Sequence, residues 1–288
     1  MPSLFKTESG KNEILSLYDE KLSDLNIDYQ YKIIDSSYGK TNIIITGAST
    51  NPPLIIIHGS NGCAPISLET YPNLSTKFQV FAIDVLAQPN KSAEVRLSMK
   101  DDSYGKWVNE VITELGVDNV TLAGFSFGGL IILKTLVYKQ DSIKAAFIAS
   151  PAYIVNGNPL SALFKIFIPM RRYMKSHKMK FVEKFLSVLF TERDEFAVNF
   201  LGKVFLHFTM DFTPVPVINR EEAQRITTPI TILAGKKDVM FPGVKMRKRA
   251  GKLFSSLKEF LLLEDSKHVQ DKKGNLIFED LILKSNSA

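Results

Sequence analysis

The feature that most constrains this chain is a short run of small residues between two apolar segments. Residues 120–123 are typical of a short buried strand, and residues 130–137 have the apolar density of a helix buried on most of its faces. Between them lies a Gly-x-Ser-x-Gly sequence centred on Ser126. A chain that passes from strand to helix this quickly places Ser126 at the apex of a strained turn. Side chains at Gly124 or Gly128 would collide with the backbone of such a turn.

The turn also suggests a chemical role for its serine. Its apex presents the Ser126 hydroxyl at the start of a helix, where the first backbone N–H groups have no partner. The N–H of Phe127 is one of these donors and could hold a developing oxyanion. The alternative is a glycine-rich turn with an incidental serine, because Gly-x-Ser-x-Gly occurs by chance in about one chain in ten of this length. The interpretation therefore depends on the rest of the chain.

Strands and helices are predicted to alternate along most of the sequence. Apolar, β-branched runs predict strands at 54–57, 79–84, 144–149, 230–233 and 257–263. Segments with helical spacing lie between them, and one of these, at 102–115, ends at Gly116. This alternation predicts an α/β fold with a mostly parallel central sheet and helices on both faces.

One long segment interrupts the alternation. Residues 155–217 are rich in Phe, Lys and Arg and predict several helices without intervening strands. We predict that they form a helical cap inserted into a core made of residues 1–154 and 218–288. Some of the apolar cap side chains are expected to line a pocket above Ser126, which would favour apolar acyl or alcohol groups.

The predicted cap also carries a run of basic residues. They are Arg171, Arg172, Lys175, Lys178, Lys180 and Lys184. A solvated face is the first interpretation of such a run, and attraction to an anionic lipid surface or an acidic substrate is the alternative.

The loops after the predicted strands carry groups that a serine nucleophile requires. In a parallel sheet these loops meet at one edge. Asp238 follows the strand at 230–233, and His268 follows the strand at 257–263. A serine hydroxyl needs a base to take its proton, and a histidine base needs a carboxylate to fix its tautomer and stabilise the imidazolium. The order Ser126, Asp238, His268 is that of hydrolases with a nucleophile elbow.

Each of these assignments has a plainer alternative. Asp238 could pair with Lys236 or Lys237 as an ordinary loop carboxylate, and Asp265 competes with it as the acid that orients the histidine. His268 could be an exposed loop histidine.

A second oxyanion donor is expected in the loop that follows residues 54–57. This loop begins His58-Gly59-Ser60, and the backbone N–H of Ser60 is the candidate donor beside that of Phe127. His58 precedes the turn, so we expect it to brace the loop rather than to act as a base.

Composition limits the other classes of function. The chain has 288 residues, of which 45% are hydrophobic, and a single cysteine, which fits a reducing compartment. The formal net charge is +6, but the basic residues are scattered and no nucleic-acid-binding motif occurs. No metal or nucleotide motif occurs, and no run approaches the ~18 apolar residues of a membrane span. We expect a cytoplasmic protein without cofactor, metal, nucleic-acid partner or membrane span, and the sequence predicts no oligomeric state.

Several stretches share one resemblance. They are His58-Gly59, Ala82-Ile83-Asp84, Pro89-Asn90-Lys91-Ser92, Tyr104 with Trp107, Gly124–Gly129 and Ser150-Pro151-Ala152. From about residue 28 to its C-terminus, the chain resembles the α/β-hydrolase superfamily and, within it, bacterial carboxylesterases of the naproxen-esterase type. Two departures are Lys267, where the superfamily commonly has Gly, and Ala87–Ser92, which replaces a glycine-rich turn.

The resemblance implies the α/β-hydrolase fold and ester hydrolysis through an acyl-enzyme. Ser126 would carry the acyl group, His268 would act as general base and then acid, and Asp238 would orient it. The N–H groups of Ser60 and Phe127 would form the oxyanion hole.

The leading hypothesis is a cofactor-independent serine hydrolase that cleaves a carboxylic ester of a fairly apolar small molecule. The same three residues would also support hydrolysis of a C–C bond or a thioester. A different class is a non-catalytic ligand-binding or sensory protein, because one fold can serve unrelated functions.

Overall fold

A computed structural model describes residues 3–286, and the strands within this range form one sheet. They are β1 (Gln30–Ser36), β2 (Gly39–Thr46), β3 (Pro53–Ile57), β4 (Gln79–Ile83), β5 (Val120–Phe125), β6 (Ile143–Ala149), β7 (Ile230–Gly235) and β8 (Leu257–Leu263). Their order across the sheet is β1-β2-β4-β3-β5-β6-β7-β8. The pairs β1–β2 and β2–β4 are antiparallel, and the remaining neighbours are parallel. The prediction of a mostly parallel sheet is confirmed.

Helices connect these strands. They are α1 (Glu8–Asp24), α2 (Ala64–Thr70), α3 (Ser103–Leu115), α4 (Phe127–Tyr138), α5 (Pro159–Ala162), α6 (Ile168–Ser176), α7 (Lys180–Leu189), α8 (Glu195–His207), α9 (Arg220–Gln224), α10 (Gly243–Leu253) and α11 (Lys272–Lys284). A 3-10 turn occupies Leu74–Thr76, and a π-helical stretch, Leu163–Phe167, joins α5 to α6. No helix within residues 3–286 is both long enough and apolar enough to cross a membrane.

The sheet is covered on both faces because its central strands are apolar at successive positions. In β3, Ile55 and Ile57 belong to a core that includes α3, α4 and α10. Leu54 and Ile56 point to the opposite face and belong to a core that includes α1, α2 and α11. Successive strand residues point to opposite faces, so a strand with no polar position must be buried on both.

Local signals explain where several helices begin and end. Helix α3 ends at Gly116, whose φ of 69° is left-handed, as a glycine stop predicts. Helix α1 begins at Glu8, directly after Thr7. The Thr7 hydroxyl caps the helix, because it accepts a hydrogen bond from the N–H of Gly10.

The stretch between β6 and β7 contains α5 to α8 and a small apolar cluster of its own. Helices α5 to α8 and the π-helical stretch lie within residues 159–207, and residues 208–217 contain no helix. The division into a cap at 155–217 and a core at 1–154 and 218–288 stays a prediction. Residues 1, 2, 287 and 288 of that core lie outside the described residues.

Candidate active site

Ser126 lies at the turn between β5 and α4 in a strained backbone conformation. Its φ of 53° and ψ of −109° are rarely adopted by residues other than glycine. The N–H of Ser126 donates to the carbonyl of Ala149 at 2.9 Å, and the Ser126 carbonyl accepts the N–H of Ala152 at 3.0 Å. Bonds to the end of β6 and the loop after it therefore hold the strained residue in place.

The two glycines that flank Ser126 are required by close backbone packing. A Cβ at Gly128 would lie 2.1 Å from the carbonyl oxygen of Ile57, at the end of β3. A Cβ at Gly124 would lie 2.7 Å from Ile132 Cδ1 and 3.0 Å from the carbonyl carbon of Gly128. Neither position has room for a side chain, so the turn can form only with the observed spacing of glycines.

Three distant side chains meet at this turn. His268 Nε2 lies 3.0 Å from Ser126 Oγ, and His268 Nδ1 lies 2.8 Å from Asp238 Oδ2. All three residues are buried. An Nδ1–H that donates to the carboxylate leaves the Nε2 lone pair free to accept the serine proton, which is the arrangement a general base requires.

The backbone fixes the carboxylate of Asp238. Its Oδ1 accepts hydrogen bonds from the N–H groups of Met240 at 2.7 Å and Phe241 at 3.0 Å. Its Oδ2 is thereby aimed at His268.

The alternatives considered for Asp238 are resolved by ion pairs on the surface. Lys236 pairs with Glu264 at 2.6 Å, and Lys237 pairs with Asp265 at 2.8 Å. The side chain of Asp265 is 91% exposed, whereas that of Asp238 is fully buried. Asp265 therefore does not orient the histidine.

The imidazole of His268 is held between apolar rings and by its own backbone. The ring centroids of Phe125 and Phe241 lie 5.1 and 5.4 Å from that of His268. Gln270 Nε2 donates to the His268 carbonyl at 2.9 Å and to Ser150 Oγ at 2.8 Å. Sequence reasoning missed Gln270, and its position two residues after the histidine was the only signal.

The residues that carry the two predicted oxyanion donors adjoin the Ser126 turn. A Cβ at Gly59 would be 3.4 Å from Ser126 Cβ, so the residue before Ser60 lies close to the nucleophile. Phe127 is the first residue of α4. Within residues 3–286, the backbone N–H of neither Ser60 nor Phe127 has a hydrogen-bond acceptor. Both N–H groups therefore stay candidate donors to a negative oxygen.

His58 braces this loop, as expected from its position. Its Nδ1 donates to the Gly59 carbonyl at 2.7 Å, and its Nε2 accepts the N–H of Val85 at 3.0 Å. Burial lowers the pKa of His58 to about 4, despite the opposing hydrogen bond to Gly59. A neutral imidazole with one donor and one acceptor satisfies both bonds.

Asp84 is a buried hub that the sequence reasoning treated only as part of a family motif. Its Oδ1 accepts the N–H of Ala64 at 2.8 Å, and its Oδ2 accepts Tyr18 Oη–H at 2.9 Å and Asn42 Nδ2–H at 2.8 Å. Burial raises the pKa of Asp84 to about 6, and the hydrogen bonds partly offset that effect. The carboxylate ties the start of α2 to β2 and α1.

The remaining histidines and the cysteine do not belong to the hydrogen-bonded chain at Ser126. His177 ends α6 in a left-handed conformation, and His207 Nε2 lies 4.0 Å from Glu13 Oε2. Cys63 is a buried free thiol. Across the described part of the chain, no group of three or more His, Cys, Asp or Glu side chains is arranged to hold a metal ion.

Fold and site together place the chain in one structural class: it has the α/β-hydrolase fold. A family model described as the alpha/beta hydrolase fold matches residues 52–169. The predicted fold class is confirmed.

The particular proteins that it resembles are bacterial carboxylesterases. The chain is 30% identical over 138 residues to the uncharacterized carboxylesterase nap of Bacillus subtilis (strain 168), which is 47% of this chain and 45% of that protein. Carboxylesterase YbfK of the same strain is 30% identical over 138 residues, 47% of this chain and 46% of its own length. The match thus spans about half the length of these curated relatives. The crystal structure of naproxen esterase from Bacillus subtilis superposes with a TM-score of 0.83 at 22% identity, over 97% of this chain and 99% of that one.

Proposed function

We propose that the protein is a serine hydrolase that cleaves carboxylic esters of fairly apolar small molecules through an acyl-enzyme on Ser126. The observation that carries the proposal is the unbroken hydrogen-bonded chain from Asp238 through His268 to Ser126. The similarity to bacterial carboxylesterases supports the same conclusion.

In the proposed reaction, Ser126 Oγ attacks the ester carbonyl carbon while His268 Nε2 takes the hydroxyl proton. The carbonyl oxygen becomes an oxyanion, which the N–H groups of Ser60 and Phe127 would receive. Collapse of the tetrahedral intermediate breaks the bond to the alcohol, which leaves with the proton from His268. Water then attacks the acyl-enzyme and loses a proton to His268. Collapse of this second intermediate breaks the bond between the acyl carbon and Ser126 Oγ, Oγ takes the proton back from His268, and the carboxylic acid is released.

Asp238 has an electrostatic role in this scheme. The imidazolium formed on His268 at each step is stabilised by a carboxylate 2.8 Å away. Because the carboxylate is already bound by two backbone N–H groups, it does not need to reorganise during the reaction.

The preference for apolar substrates is supported by the surroundings of the site. Phe125 and Phe241 lie against the imidazole. We further propose that residues 155–217 act as a cap over the site and that the protein is cytoplasmic, where its free Cys63 would stay reduced.

The test is hydrolysis of p-nitrophenyl acetate, butyrate and octanoate by wild type and by Ser126→Ala. We expect saturable turnover by wild type, with kcat/KM higher for butyrate than for acetate, and turnover at background level by the variant. Normal turnover by Ser126→Ala would contradict the proposal.

Two further measurements separate the other candidate functions. Higher kcat/KM for matched acyl thioesters or vinylogous diketones would point to thioester or C–C hydrolysis by the same triad. Tight binding of small molecules without turnover would point to a ligand-binding or sensory protein.

A further inference from the structure

The helix formed by residues 159–176, which comprises α5, the π-helical stretch and α6, has two apolar faces. One face packs onto the neighbouring helices through the buried side chains of Ile166, Met170 and Tyr173. That face explains why the helix folds onto the protein. The second face does not contribute to the core.

The second face carries large apolar side chains that are exposed to solvent. They follow one another at helical spacing and are Leu160, Leu163, Phe164 and Phe167. Leu160 is 65% exposed and Phe164 is 64% exposed. Phe212, itself 55% exposed, extends the surface, because its ring centroid lies 6.0 Å from that of Phe167. We call these five residues the apolar patch.

Positive charge continues the same helix surface beyond the apolar patch. Arg171 and Lys175 follow Phe167 at intervals of four residues, and Arg172 is also exposed. Residues 159–182 contain six Lys or Arg and no Asp or Glu. Among residues 3–286, no carboxylate forms an ion pair with any of these six side chains. The nearest acidic residue in sequence to the patch is Asp211, beside Phe212.

An exposed apolar patch beside unpaired cations is unfavourable in water, and the two together match the surface of an anionic bilayer. Contiguous exposed aromatic and aliphatic side chains mark a binding site more often than an inert surface. A helix with an apolar face flanked by Lys and Arg buries that face at the boundary between headgroups and acyl chains, while its cations contact anionic headgroups. We propose that the apolar patch and its basic flank dock the protein on a bilayer that contains anionic lipid.

A second copy of the chain fits this surface less well. Two patches in contact would also bring two sets of unpaired Arg and Lys side chains together, and like charges repel. An anionic bilayer instead satisfies the apolar side chains and the cations at the same time.

The location of the patch gives this docking a consequence. The N–H of Gly157, just before α5, donates to the carbonyl of Met240 at 2.7 Å, in the loop that also holds Asp238. The helix therefore starts at the edge of the sheet that contains Ser126. A bilayer bound there would face the candidate active-site edge. Apolar molecules that partition into lipid are concentrated in that bilayer. The docking itself does not depend on the proposed hydrolase activity.

The experiment is co-sedimentation with sucrose-loaded vesicles. Wild type is mixed at 50 mM NaCl with vesicles of phosphatidylcholine alone or of phosphatidylcholine and phosphatidylglycerol at 7:3. We expect binding to the anionic vesicles, at least tenfold weaker binding to the neutral ones, and weakening of anionic binding at 500 mM NaCl, because salt screens surface charge.

Two variants and two matched controls assign the binding to this surface. Phe164→Ser is expected to lower the partition coefficient about tenfold, because a largely exposed phenyl ring no longer inserts. Arg171→Ala/Arg172→Ala is expected to lower the partition coefficient about 10- to 30-fold, because each cation removed weakens binding about fivefold. Ile33→Ser, at an exposed apolar residue of β1, and Arg247→Ala/Lys248→Ala, on the exposed surface of α10, make equivalent changes elsewhere. Both controls are expected to stay within twofold of wild type.

Three results would overturn the proposal. One is an absence of binding to the anionic vesicles. Another is equal loss of binding in the α10 control, which would indicate net charge rather than a surface. The third is a dimer in light scattering that Phe164→Ser dissociates, together with no binding to vesicles, which would show a second copy on the patch.

Discussion

Asp84 Oδ1 accepts the backbone N–H of Ala64 at 2.8 Å, so a carboxylate just after β4 holds the first residue of α2. This bond anchors one end of the loop that carries Ser60. His58 anchors the other end through its bond to the N–H of Val85. The proposed oxyanion hole thus depends on two buried titratable groups, whose pKa values are displaced in opposite directions.

Asp84→Asn tests the carboxylate. Burial raises the pKa of Asp84 from 3.8 to about 6, so the folded protein binds this proton more tightly than the unfolded chain does. The contribution of Asp84 to the free energy of unfolding is therefore greatest below pH 4. It falls by about 3 kcal/mol as the pH rises to 7. The stability of wild type minus that of Asp84→Asn should decrease over this range in urea titrations. Parallel curves would show that Asp84 titrates normally.

His58→Gln tests the second group. Burial lowers the pKa of His58 from 6.5 to about 4, so the unfolded chain binds this proton more tightly. The resulting contribution to stability is complete above pH 6.5 and is lost, by about 3 kcal/mol, as the pH falls to 4. The stability difference between wild type and His58→Gln should therefore increase from pH 4 to pH 7, opposite to the trend for Asp84→Asn. A constant difference would contradict the buried neutral imidazole.

Gly128→Ala tests the tight turn. The added methyl group would lie 2.1 Å from the Ile57 carbonyl oxygen, so β3 or α4 must shift. We expect a loss of more than about 2 kcal/mol in the free energy of unfolding. The matched control is Gly251→Ala in α10, where a Cβ has no neighbour within 4 Å. That change should raise stability by up to about 1 kcal/mol, because alanine favours a helix. Equal stabilities for the two variants would contradict the packing.

Asp238→Asn tests the orientation of the histidine. An amide that donates to His268 Nδ1 would leave the ring proton on Nε2, where it faces Ser126 and blocks proton transfer. We expect kcat to fall by about 10³- to 10⁴-fold with p-nitrophenyl butyrate. Asp265→Asn is the control, because the Asp265 side chain pairs with Lys237 at the surface, and this variant should keep kcat within twofold of wild type. Similar losses in both variants would contradict the assignment.

Much of the fold could be predicted because its signals are local. The apolar run at 54–57 indicated strand β3, and the bounds of β8 agree with the strand predicted at 257–263. The turn at Ser126 was also a local signal, because a strained apex requires glycines at fixed spacing. From the turn and the order of residues, sequence reasoning named the three side chains that the structure brings together.

The supporting network could not be predicted in this way. Asp84 contacts Tyr18, Asn42 and Ala64, which lie 66, 42 and 20 residues away along the chain. Gln270 likewise reaches Ser150, 120 residues away. No periodicity connects such residues, because their hydrogen bonds depend on how strands and loops meet in three dimensions. The exposed apolar face of the helix at 159–176 could not be predicted for a related reason. The sequence shows which residues of this helix are apolar but not which of them pack against other parts of the protein.

The most direct test of the central claim is covalent labelling of Ser126. A fluorophosphonate phosphonylates a serine only when a neighbouring base has made its hydroxyl nucleophilic, and the fluoride ion leaves. We expect one adduct per chain in intact-mass spectra, located on the peptide that contains Ser126, and much slower labelling in His268→Ala. Labelling at another residue, or none in a protein that is folded and hydrolyses esters, would contradict the account.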